Sequence, residues 1–142
     1  MINLPAIIVS NAFGIALLII LLISSQHNVS RDFLDNKLFF TMILMNIVLC
    51  VCEPLAFIID GKIFIGSIFL SKLINSLLFI GNMVFSCIWA IYAHYKLYRD
   101  SKRLKRAYPI IAIPAAVISI MSIASCFKPI LFTVDSNNIY HR

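Results

Sequence analysis

Charge is scarce in this sequence. Of its 142 residues, 13% are Asp, Glu, Lys or Arg, against about 25% in an ordinary soluble domain, and 61% are hydrophobic. A water-soluble fold of this size keeps much of its surface wet and cannot hide so much apolar side chain. Lipid must therefore solvate a large part of it. Glycine is rarer still, with four in all, so a Gly-rich phosphate cradle is excluded. HExxH and nucleophile-elbow patterns are missing as well. The three histidines, His27, His94 and His141, stand far apart and fall in loops or at interfaces, where they read as solvated polar residues. The four cysteines, Cys50, Cys52, Cys87 and Cys126, all sit in apolar runs and show no zinc spacing. Cys50 and Cys52 are two apart, roughly 200° around a helix, and all four read as buried packing residues. The sequence thus calls for no metal and no cofactor, and carries no catalytic motif of its own.

What is present is a series of long apolar runs. The first, Leu4 to Ile23, holds no charge and is long enough to cross a hydrocarbon core of roughly 30 Å. No Lys or Arg precedes it and Ser24-Ser25-Gln26 makes a poor cleavage site, so it reads as an uncleaved span. A polar stretch follows; its Asn28-Val29-Ser30 triplet is read as a chance match to the glycosylation signal. The second span is Leu38 to Ile59, closed by the turn signal Asp60-Gly61-Lys62. The third begins near Ile63, crosses to about Tyr95 and stays helical in pattern to Tyr98, longer than a membrane requires. Trp89, Tyr92, Tyr95 and Tyr98 form an interfacial aromatic belt near its end. The fourth span is about Tyr108 to Phe127, with Pro109 in its first turn and Pro114 as a kink. A short polar tail completes the chain. The expected architecture is all-α: one polytopic membrane bundle of four transmembrane helices over residues 1–142.

The distribution of positive charge sets the expected orientation. Lys96, Arg99, Lys102, Arg103, Lys105 and Arg106 crowd the third loop, and Arg31 and Lys37 lie in the first. These eight share one side, which the positive-inside rule makes cytoplasmic. Lys62, Lys72, Lys128 and Arg142 belong to the other. Both termini are then outside, in a plasma membrane. The basic run is a topology signal and a candidate contact for anionic lipid headgroups. Nucleic acid is excluded as a partner, because the run is tied to membrane spans and has no reading module.

Polar residues inside the spans are costly and each asks for a reason. Asn46 and Glu53 are seven apart on span two; Lys72, Asn75, Asn82 and Ser86 follow one face of span three. Counted from the turn between these antiparallel spans, Glu53 and Lys72 come to similar depth, and Asn46 and Asn82 lie deeper. A Glu53–Lys72 pair with Asn contacts around it is expected. It would serve either as interhelical glue or as a ligand pocket. Pro54, just after Glu53, opens the last turn of span two and frees carbonyls there.

Several short segments carry a resemblance. They are Asp35-Asn36-Lys37-Leu38-Phe39, Ile59-Asp60-Gly61-Lys62, Asn75 to Phe79, Trp89-Ala90-Ile91-Tyr92 with Tyr95-Lys96-Leu97, and Asn137-Asn138-Ile139-Tyr140. On these the chain resembles the N-terminal multi-span sensor region that precedes GGDEF (diguanylate cyclase) domains in bacterial signalling proteins. The resemblance implies a membrane input module whose cytoplasmic output domain makes cyclic di-GMP. No GGDEF-type loop occurs in this chain, so no catalytic residue carries over. The family's membrane region usually has more spans. With the C-terminus outside, an odd number of further crossings would be needed to reach a cytoplasmic domain. The expected partners are the bilayer and either an output domain or a second copy. The alternative is a small helical protein acting as a transporter subunit or assembly partner.

Overall fold

Uninterrupted apolar sequence lets a helix satisfy every backbone group internally, which is what a span in lipid demands. A computed structural model describes residues 3–27, 33–128 and 130–141. The Asn28-Val29-Ser30 triplet, Arg31 and Arg142 lie outside the described residues. Four helices dominate: α1 (Leu4–His27), α2 (Phe33–Ile59), α3 (Ser67–Tyr98) and α4 (Ser101–Ser125). Each is long and apolar enough to cross a bilayer. Even the shortest, of 24 residues, spans about 36 Å at 1.5 Å per residue. The chain is a membrane protein built as a four-helix bundle.

The helices pack in chain order, α1 on α2, α2 on α3 and α3 on α4. Small residues set the closest approaches, as they do where lipid supplies no hydrophobic drive between helices. A Cβ placed on Gly81 of α3 would stand 2.7 Å from Cδ2 of Leu49 on α2, so glycine here lets the Leu49 side chain lie against the α3 backbone. Between α3 and α4, Ser76 Oγ donates to the Ser122 carbonyl at 3.3 Å, and Ser122 Oγ donates to the Ser76 carbonyl at 3.3 Å. Both serines are buried.

The starts of α3 and α4 differ from the sequence reading. The segment from Ile63 to Gly66 is not helical. Gly66 adopts φ 85 and α3 begins at Ser67. At the other end of α3, Arg99 takes φ 47 and ends the helix. Asp100 then caps α4, its side chain accepting from the Lys102 N–H at 2.8 Å. The expected loop from Lys96 to Arg106 is therefore two helix ends joined by Arg99 and Asp100, and Lys102, Arg103, Lys105 and Arg106 ride on the first turns of α4. A side-chain cap that meets an orphan N–H starts a helix as effectively as an apolar run. Pro109 consequently lies in the interior of α4, not in its first turn.

The tail is not a loose polar end. Strands β1 (Thr133–Val134) and β2 (Tyr140–His141) pair antiparallel. Asp135 closes the hairpin: its Oδ1 accepts from the N–H groups of Asn137 and Ile139 at 2.9 and 2.8 Å. Phe132 is buried and stacks between Phe79 of α3 and Tyr140, with ring centroids 5.7 and 5.8 Å away. The hairpin thereby covers the end of the bundle where α2 turns into α3.

Candidate functional site

Heptad spacing places residues on one helical face; Asn46 and Glu53 on α2 and Asp60, in the turn just past its end, follow at intervals of seven. Opposite them α3 carries Asn75 and Asn82. All five line one cleft of about 500 Å³, together with Asn11 of α1, Ile118 of α4 and Tyr140 of the hairpin. Every helix contributes. Four of the five sequence-predicted cluster residues, Asn46, Glu53, Asn75 and Asn82, therefore come together.

The fifth does not. Glu53 Oε2 accepts from Asn11 Nδ2 at 3.1 Å. Lys72 Nζ instead donates to the Cys126 carbonyl at 3.1 Å, and it lines a separate cavity of about 580 Å³ with Cys126, Phe127 and Ser136. The expected Glu53–Lys72 pair is not made. The reason lies at the end of α4, which stops at Ser125. The last carbonyls of a helix lack N–H partners and carry the negative end of its dipole. An ammonium placed there meets both needs, and it draws Lys72 away from the cleft.

The asparagines share a habit. Asn11, Asn75 and Asn82 each donate through Nδ2 to a carbonyl four residues back, those of Ile7, Ser71 and Leu78 at 3.0, 2.9 and 2.8 Å. Donation along the helix leaves the amide oxygens as acceptors. Asn75 is the most enclosed of them at 9% exposed, and its oxygen accepts no hydrogen bond among the described residues. Pro54 stands inside α2 and lacks the N–H that would bond the Cys50 carbonyl; Cys50 also lines the cleft. Leu49, Phe57 and Phe79 give the cleft an apolar wall.

At the hairpin end the cleft is latched. Asn138 is fully buried and its Nδ2 donates to the Ile59 and Lys62 carbonyls at 2.7 and 2.9 Å. The Gly61 N–H returns a bond to the Asn138 carbonyl at 2.7 Å, and the Tyr140 N–H donates to Asp60 Oδ1 at 2.8 Å. Asn138 holds φ 57, a left-handed conformation that asparagine tolerates better than most residues. At the far end of the bundle Lys96 bridges Asp35 at 2.7 Å, joining the end of α3 to the start of α2. Lys96, Arg99, Lys102, Arg103, Lys105 and Arg106 are all exposed there, and Arg103 lies over the Tyr98 ring, 3.8 Å from its centroid.

Asn11, Asp60 and Tyr140 are site residues that the sequence reading missed. The Asn46–Glu53–Asp60 heptad would have revealed Asp60, and a polar residue in span one would have flagged Asn11. Nothing local reveals Tyr140, because a long fold-back puts it there. Comparison with protein-family models, with curated proteins and with solved structures finds no match for this chain.

Proposed function

We propose that this chain is the membrane-embedded input module of a bacterial signal-transduction protein, binding its stimulus in the cleft. The observation that carries this reading is the convergence of Asn11, Asn46, Glu53, Asn75 and Asn82 on one cavity. Glue needs polar groups that satisfy one another across helices. Here, among the described residues, Asn11 alone reaches across to another helix, at Glu53, while Asn75 and Asn82 bond back along their own helix and line a space of ligand size. The resemblance to the regions that precede GGDEF domains agrees with it.

The hairpin end faces outside and the basic end faces the cytoplasm of a plasma-membrane protein, with the exposed basic residues against anionic headgroups. Ligand entering beside the hairpin alters the packing of α2 on α3. Helix α3 runs unbroken from Asn75 to the Lys96–Asp35 bridge and passes the change to an output partner on the cytoplasmic side.

Hydrogen–deuterium exchange on the chain in nanodiscs tests this. Filling the cleft with Asn82→Leu should change deuterium uptake at residues 92–106 as well as near the substitution. Changes confined to the cleft and hairpin would show that nothing is transmitted, and the input-module reading would fall.

A further inference from the structure

The charge of the cleft points to the kind of molecule it takes. Two carboxylates, Glu53 and Asp60, line it, and among the described residues no Lys, Arg or His does. The one cation that sequence places beside Glu53, Lys72, is spent on the end of α4. Glu53 has an amide for a neighbour and no counter-ion among the described residues, although a carboxylate within a span ordinarily finds a positive partner or a wet cavity. A second observation is independent of the acids. Asn75, nine-tenths buried, has an amide oxygen that accepts no hydrogen bond among the described residues, and it lines the same cleft. Acceptors thus come from α2 and α3 together.

We infer that the cleft binds a small primary organic ammonium, with the charged head between Glu53 and Asn75 and an apolar body along Leu49, Phe57 and Phe79. The inference rests on the reading of the cleft as a ligand site. A primary ammonium has three N–H donors and no acceptor, the complement of a cleft lined by a carboxylate and amide oxygens. Its charge supplies the missing counter-ion, and aromatic faces favour a cation nearby. An anion would meet two carboxylates with nothing to offset them. The rim carboxylate, Asp60, keeps Oδ1 on the Tyr140 N–H, so it adds attraction at the mouth while holding the hairpin in place.

Three probes of one shape separate the possibilities: phenethylammonium, the neutral 2-phenylethanol and the anionic 3-phenylpropanoate. Binding to the full chain in nanodiscs is measured by calorimetry. Phenethylammonium should bind at least about tenfold more tightly than the alcohol, the scale of one charge-assisted hydrogen bond, and the anion should not bind. Glu53→Gln should remove that preference. Asp60→Asn, which retains the acceptor for Tyr140, should weaken only the ammonium. Circular dichroism establishes that each variant is folded, and Asp60→Asn serves alone if Glu53→Gln is not. If the alcohol or the anion binds as well as the ammonium and Asn75→Leu abolishes that binding, the cleft is a ligand site but the ammonium inference is wrong. If no probe binds, both are overturned.

Discussion

Asn138 shows how much one side chain does here. It supplies a left-handed turn and two donors to carbonyls in the α2–α3 connection while fully buried. Asn138→Gly keeps the backbone conformation and removes the donors. It should lower stability by about 2 kcal/mol, the scale of two lost hydrogen bonds at about 1 kcal/mol each, and raise deuterium uptake across residues 133–141; unchanged uptake there would remove the latch from the account. Glu53 and Lys72 offer a second case. Because they bond to different groups, the losses from Glu53→Gln and Lys72→Met should add in the double variant, as for sites with no shared partner. Recovery in the double, read from thermal unfolding in detergent, would mean the two touch after all. Their heptad register was legible in the sequence. Their partners were not, because a lysine stem reaches over several ångströms and chooses among acceptors that only tertiary packing brings near.

Among the elements, the start of α4 and the hairpin depart furthest from a hydropathy reading. An apolar run starts at Tyr108, yet the helix starts at Ser101 because Asp100 caps it. Hydropathy reports where lipid begins, whereas capping reports where the helix begins, and here the two differ by two turns. The hairpin depends on Asp135. Its carboxyl is held below the usual carboxylate range, chiefly by the Ile139 N–H and then by His141 and Asn137. A depressed value in the folded state means the hairpin gains full stability from this group above the ordinary carboxylate pKa of about 3.9, and loses it as pH falls through the depressed one. The protection of the Ile139 amide, its exchange relative to an unstructured amide at the same pH, should therefore fall on acidification through that window. Asp135→Asn should flatten the dependence, and an equally steep profile in that variant would place its origin elsewhere.

For the molecule as a whole, the proposed orientation follows from the sequence count that assigns eight of the twelve positive residues to one side. Alkaline phosphatase fused after residue 142 should be active, and the same fusion after Lys105 inactive; the opposite pattern would turn the molecule over and place the cleft on the cytoplasmic side. The number of spans and the all-α class were determined by sequence alone. Runs of apolar residues without charge have one solution in lipid, the helix, whatever their neighbours are. The face shared by Asn46 and Glu53, and that shared by Asn75 and Asn82, were determined in the same way by the fixed period of the helix. Tertiary structure decided the rest: that Asn11 and not Lys72 stands beside Glu53, that Asp60 completes the ladder, and that the tail returns to bring Tyr140 to its mouth. Those outcomes depend on which orphan carbonyl, left by a helix end or a turn, lies within reach of which donor. That is a matter of distances in the folded molecule, and spacing along one segment does not contain it.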